Sequence, residues 1–321
     1  GNIEFESSGT ITDASGVDTT TDITGADLTI RNSTGIGTSA ADALNLSVTN
    51  LTITTTSGNA FLTEANGIGL GTVNVVANAL SLEAITGNIT DNASAVTAGN
   101  LTLTATASGA AIGASGAATD INVTLSGTLT ASAATGAGGI FISQTGNLTV
   151  GAVNAGTGDV EIASSGTLTT TAGLDITGAN ITLTLAADKL LSVNATTSIT
   201  GSTNVTLIAD EMTLASAGPG DSIKATGGTL LLRAVENGTL LKLGAGAGAD
   251  VSGAGAAGTL ALDATDLGAL DDTSAAIQFG SNAVKGATTI TNSGATRTIN
   301  APLTIYATTF GFAAAADALA T

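Results

Sequence analysis

Histidine, cysteine and tryptophan are absent from all 321 residues, and proline occurs only twice. Without His or Cys the chain cannot assemble an imidazole base, a Ser-His-Asp triad or a thiolate nucleophile. Zinc, haem and iron–sulfur sites of the usual kinds are excluded with them. Aromatic residues make up 2 % of the chain and charged residues 10 %, where an ordinary soluble domain carries about 25 % charged residues. Seven basic residues face 25 acidic ones, a net charge of −18, which argues against a phosphate-binding surface and a nucleic-acid partner. No run of about eighteen apolar residues exists, so no helical membrane span is expected. Mean hydropathy is +0.43, and no highly charged stretch of low hydropathy marks a disordered tract. Gly1-Asn2-Ile3-Glu4 has neither the basic start nor the apolar block of a signal peptide, so Gly1 reads as a processed end or the edge of an excised segment. Zero cysteine is compatible with export through an oxidising compartment.

What the chain does have is glycine, 43 residues of it, and short apolar triplets. Leu28-Thr29-Ile30, Leu51-Thr52-Ile53, Val73-Asn74-Val75, Leu80-Ser81-Leu82 and Leu101-Thr102-Leu103 each alternate an apolar residue with Thr, Asn or Ser. That period of two is the mark of a strand with one face buried. Gly, Asn, Asp and Ser fill the gaps, as in Thr86-Gly87-Asn88, and helical periodicity is scarce.

Spacing carries the fold. One strand series starts at Leu101, Ile121, Ile140, Val160, Ile181 and Val205, in steps of 20, 19, 20, 21 and 24 residues. A second starts at Leu129, Leu148, Leu168, Leu190 and Met212, in steps of 19, 20, 22 and 22. Two series sharing one period describe a coil that returns to the same place. The expected fold is all-β: a parallel β-helix solenoid with coils of about 20 residues, roughly sixteen in all, stacked at the strand spacing. Scarce rings suit a narrow interior, and scarce proline suits strands that must all donate an N–H. Residues 1–200 read as regular coils and 201–321 as their continuation with longer Gly/Ala-rich loops, notably Gly244 to Gly258. Later strands are expected at Thr229–Leu232, Leu240–Leu243, Gly258–Leu262, Ile277–Phe279 and Leu303–Tyr306. One helical turn is expected over Asp263 to Leu270, capped by Asp263 or Thr265.

The phrases Gly99 to Leu103, Gly146 to Val150 and Asn180 to Leu183, with the stretches Thr206 to Leu214, Gly228 to Leu230, Leu260 to Leu270 and Ala276 to Gly280, resemble the repeat regions of filamentous-haemagglutinin-type exoproteins of Gram-negative bacteria. The resemblance covers most of the chain and is one of repeat style. It implies a right-handed β-helix on the outer cell surface, serving as adhesin, stalk or fibre. It supplies no catalytic, cofactor-binding or metal-binding residues to carry over.

Each candidate site has a structural alternative. Asp210-Glu211 and Asp271-Asp272 are the adjacent acid pairs, suited to glycosidase chemistry or calcium, or else solvated turn residues; on the latter reading Asp210→Asn changes little. Asp13, Asp18, Asp22 and Asp27 are spaced to share an ion, or are scattered charge that keeps the chain soluble. The calcium-binding β-roll repeat and the EF-hand loop are both missing. The Asn-x-Ser/Thr sequons at Asn32, Asn50, Asn100, Asn147, Asn180 and Asn204 read as turn residues ahead of strands and not as glycosylation sites. Thr102 and Thr104 suit an ice-binding ladder, but Asn122 and Thr124, then Phe141 and Ser143, take the equivalent places. The glycines of Asn66-Gly67-Ile68-Gly69-Leu70-Gly71 read as turn residues, because no Gly-Lys-Ser/Thr follows.

The reading that results is a non-catalytic structural or adhesive segment of an extracellular bacterial surface protein, with no cofactor and no metal. The alternative is the protomer of a filament stacked end to end through solenoid edges. A polysaccharide-acting β-helix enzyme is a distant third. The expected partners are further copies, neighbouring segments of the same protein, or surface glycans. Ala313 to Ala320 is a candidate cap.

Overall fold

The alternating triplets become parallel strands stacked in register. The computed structural model describes residues 1–14, 19–55, 57–92, 95–215, 222–244, 259–290 and 299–312. Asp18, the 245–258 stretch and the candidate cap at 313–320 lie outside the described residues. The chain winds about 12 turns of about 22 residues, fewer and longer than the sixteen turns of 20 that spacing suggests. Loops at the corners account for part of the difference: residues 106–120 separate Leu101–Ala105 from Ile121–Leu125. No helix among the described residues is long and apolar enough to cross a membrane.

Two compact units form, Gly1–Ile162 and Ala163–Thr321, and each is a β-solenoid. In the first, one interior column runs Leu44, Leu62, Leu82, Leu103, Ala131, Val153, each in register with the next. Beside it run Ala60, Leu80, Leu101, Leu129 and Val150. All are buried. Burying one such Leu or Val contributes about 1.5–3 kcal/mol, and the like-on-like stacking fixes the register as well. The register differs from the one spacing gives. Leu101 stacks on Leu129 and not on Ile121, Leu129 on Val150 and not on Leu148, and Ile121 on Ile142 and not on Ile140.

Buried polar residues close the corners of this unit. The strands Ala60–Glu64 and Ile140–Gln144 end on inward-facing Glu64 and Gln144. Glu64 accepts the N–H groups of Val48 and Asn66, both at 3.0 Å. Burial raises its carboxyl above the ordinary range even though those N–H donors, with that of Ala65, oppose it. Room for this carboxylate comes from the alanine stacked on it, Ala84. Gln144 accepts from Leu125 N at 3.1 Å and donates to the carbonyls of Leu125, Thr145 and Asn147. Corner backbone groups, which the ladder cannot pair, are satisfied this way.

In the second unit the strands Ile176–Leu185 and Ile199–Ile208 each have 10 residues. Ile199–Ile208 pairs with two successive strands, Ile223–Ala225 and Thr229–Arg233. One interior column runs Ile181, Val205, Leu230, Ile277, Leu303. A second sheet follows the order Thr259–Leu262, Leu240–Leu243, Ala287–Ile290, Thr309–Phe312. Its first two strands are reversed relative to the sequence, so the chain doubles back before resuming its course. The strand Thr259–Leu262 also packs against Glu211–Leu214.

Candidate functional site

The outward positions of the second unit bring hydroxyls and amides together on one face. Period-two alternation sets its columns. One column is Thr182, Thr206, Leu231, Gln278, Thr304. To one side stand Asn180 and Asn204, joined by a 2.9 Å amide–amide bond, and the Asn204 carbonyl oxygen accepts the N–H of Thr229 at 2.8 Å. These residues, Thr304 apart, line an open groove of about 380 Å³. Its lining residues carry no charge.

On the other side the outward column reads Ile208, Arg233, Gly280, Tyr306: Ile208 pairs with Arg233, and Gly280 and Tyr306 extend the ladder by N–H bonds to Leu232 O and Phe279 O. Gly280 has φ +71°, and a Cβ built there would lie 3.0 Å from the Tyr306 carbonyl oxygen. Arg233, Gly280 and Tyr306 line a notch with Glu236 and Lys285, of about 20 Å³, room for about one water molecule. The Arg233 guanidinium donates to the Ala234 carbonyl at 3.0 Å, and burial draws its pKa down. The Lys285 ammonium donates to Asn282 Oδ1 at 3.0 Å. Among the described residues neither cation has a carboxylate within ion-pair distance; the pairs there are Arg31 with Glu4 and Lys224 with Asp271.

Three of the four acids in the adjacent pairs, Asp210, Glu211 and Asp271, are buried and not the solvated turn residues their sequence suggests. Asp210 is 5 % exposed, and its carboxylate accepts the N–H of Asp188 at 3.0 Å and of Val235 at 2.8 Å. It staples the coil before it and the coil after it. Glu211 is buried on the strand Glu211–Leu214. Asp271 is also buried, 2.9 Å from the Lys224 ammonium. Burial works to raise its carboxyl, but the Thr273 and Lys224 donors outweigh burial and hold it below the usual range. Asp272 accepts from Asn300 at 2.6 Å on the exposed side. These acids serve backbone and coil-to-coil contacts and do not converge on a shared point.

The remaining candidates are dispersed. Asp22 accepts the N–H of Asn45 and Asp27 the amide of Asn50, each at 2.8 Å. No group of three or more acidic residues able to hold a metal ion occurs among the described residues. Of the sequon asparagines, Asn50 bridges Asp27 and Asn92, Asn100 accepts Thr128 N at 2.8 Å, and Asn32 donates to Glu6 at 2.8 Å. Thr102 stacks between Ser81 and Thr130, and Thr104 between Glu83 and Ser132, so no flat Thr-x-Thr ladder persists. Gly69 and Gly71 are strand residues of Ile68–Asn74, not turn residues. Their missing side chains make room for Asn50 Oδ1 and Thr52 Oγ1, which a Cβ would approach to 2.7 and 2.8 Å.

The helical turn Ala264–Gly268 is capped by Asp263, one of the two caps the sequence offers, and Asp266 is its reciprocal partner. Asp266 does more. It accepts the N–H of Leu214 at 2.7 Å and of Asp263 at 2.8 Å, and burial pushes its pKa up to about 6 from the ordinary 3.8. Between pH 4 and 6 the folded chain therefore holds a proton that the unfolded chain releases. The contribution of this group to stability is full below about pH 4 and is lost as pH rises through about 6, on the order of 3 kcal/mol. Hydrogen exchange at the Leu214 amide is expected to speed up from pH 4 to 7 beyond the intrinsic base-catalysed rise. In Asp266→Asn that excess should vanish; its persistence would assign it to another group.

No family model, characterised protein or solved structure matches the chain.

Proposed function

We propose that this chain is a non-catalytic structural segment of an extracellular bacterial surface protein, a β-solenoid stalk that presents its lateral faces for adhesion. The observation that carries this reading is the side-chain stapling of successive coils. Asp210 ties three coils through two backbone N–H groups, and Asn180–Asn204 and Asp27–Asn50–Asn92 form amide ladders along the stack. Cross-links of this kind resist the sliding and peeling of coils, which is the mechanical demand on a stalk. The resemblance in repeat style supports the surface setting.

A second reading is the protomer of a filament stacked end to end through solenoid edges. Electron microscopy of the purified chain over a range of concentrations separates the two. Particles of one length at every concentration are expected for the stalk; particles that lengthen end to end with concentration would overturn it in favour of the filament.

A further inference from the structure

Two Asn-Gly steps occur in the sequence, Asn66-Gly67 and Asn237-Gly238. In such a step the glycine nitrogen is a nucleophile within ring-closing reach of the asparagine side-chain carbonyl carbon, and no Cβ on the following residue hinders the approach. The structure holds the two steps differently. At Asn237 both reacting groups are engaged by one residue. The Gly238 N–H donates to the Lys285 carbonyl oxygen, and Asn237 Oδ1 accepts the Lys285 N–H, each at 3.1 Å. Attack there requires both bonds to open. Asn66 is exposed, in the corner between the strands Ala60–Glu64 and Ile68–Asn74. Its hydrogen bonds are made by the backbone N–H, to Glu64 Oε1 at 3.0 Å, and by the side-chain NH₂, to Ser47 Oγ at 3.1 Å. The side-chain carbonyl is left unrestrained, and the Gly67 N–H has no acceptor among the described residues. Gly87 of the next coil keeps space beside that nitrogen, since a Cβ there would come to 2.5 Å from it.

We propose that Asn66 is a site of self-modification, converted to aspartate and isoaspartate with the Gly67 nitrogen as nucleophile and water as co-reactant. The Gly67 nitrogen attacks Asn66 Cγ and forms a C–N bond. The Cγ–Nδ2 bond breaks, and Nδ2 leaves as ammonia with the proton that the Gly67 nitrogen gives up. The cyclic imide that results is opened by one water at either of its carbonyls, giving aspartate or isoaspartate. The net change is one amide and one water to one carboxylic acid and one ammonia, with no oxidant or reductant. Two contacts of the corner register the product. The NH₂ donor to Ser47 Oγ is lost, and a new carboxylate stands beside Glu64, the buried acid that locks this corner. Isoaspartate also lengthens the backbone between Asn66 and Gly67, immediately ahead of Ile68, whose place in the stack is fixed by pairing with Ile89. The modification therefore loosens one corner of the first unit with time, while Asn237 stays protected.

The test is incubation of the whole chain at mildly alkaline pH, followed by peptide mass spectrometry and by enzymatic carboxyl methylation of isoaspartate. Each conversion exchanges NH₂ for OH and adds about 1 Da. Asn66 is expected to convert at least about fivefold faster than Asn237, whose two bonds to Lys285 must open first. In urea, where neither step keeps its tertiary partners, the two rates should converge. Equal rates in the folded chain, or a ratio that urea leaves unchanged, would overturn the structural assignment. So would a folded chain in which Asn66 stays intact while the unfolded chain converts. Asn66→Gln adds one methylene, disfavours ring closure and should abolish the early methylation signal; persistence of that signal would place the site elsewhere. If Asn66→Gln disturbs the corner, the comparison of folded and urea-unfolded chain in the native sequence decides by itself.

Discussion

Leu103→Asp is expected to unravel a local stretch of the first unit while the distant coils stay folded. Leu103 is fully buried, stacked between Leu82 and Ala131 in a column with no polar neighbour on either rung. An ionised carboxylate there has no donor to pair with. Its burial costs several kcal/mol, on the order of 3–5 beyond the lost packing of the leucine. In a solenoid each coil is held by its nearest neighbours, so the damage propagates only until the stacking energy recovers it. Limited proteolysis should open new sites in residues 106–120, next to the substituted strand, with the flanking coils resistant. Ile181→Asp, in the column with Val205, should do the same in the second unit. Thr102→Asp, one residue away and facing outward, is the internal control and should cost less than about 1 kcal/mol. Equal protease sensitivity of Thr102→Asp and Leu103→Asp would contradict the assigned register.

Asp210→Asn is expected to destabilise the second unit by about 2–4 kcal/mol, since a buried carboxylate meets two N–H donors and an amide can meet only one. Asn presents one acceptor and one NH₂, so either Asp188 N–H or Val235 N–H would face another donor. The exchange rates of the Asp188 and Val235 amides should rise together, while the Leu101 amide in the first unit is unaffected. Asp210→Ala removes both acceptors and should cost at least as much. If Asp210→Asn leaves both amides protected, the staple contributes nothing and the sequence-based expectation of a silent surface substitution stands.

The contrast between these two residues shows what a sequence discloses. Leu103 was legible because its neighbours alternate: the period of two says which face is inside without reference to anything distant. The coil period was legible for the same reason, being a sum over many such triplets. Register was not. Leu101 and Leu103, Leu148 and Val150, or Ile140 and Ile142 are equivalent inward residues, and a shift by two keeps every side chain on its face. Only the loop lengths between strands choose between them. Asp210 was misread because adjacent acids default to solvent, and its two N–H partners come from coils on either side, far apart in sequence. Glu64 and Gln144 escaped notice likewise, although a polar residue at the fifth position of an apolar-alternating strand is a signal for a corner lock. The helical turn and its cap were legible to within a choice of Asp263 or Thr265, because the cap lies within three residues of its partner. The notch depends on Arg233, Gly280 and Tyr306 falling in one column, which no local pattern encodes.

The reversed strand order in the second sheet bears on how the chain reaches its native state when it emerges from its N-terminal end. Up to Arg233 each strand can dock on one already in place, so assembly can keep pace with emergence. Leu240–Leu243 breaks this rule: it hydrogen-bonds to Thr259–Leu262 and Ala287–Ile290, both later in the chain. It must wait unpaired until residue 262 has appeared and returned to occupy the place beside Glu211–Leu214. Growth by simple winding therefore halts here, and the region sets a checkpoint at which vectorial folding gives way to a local rearrangement.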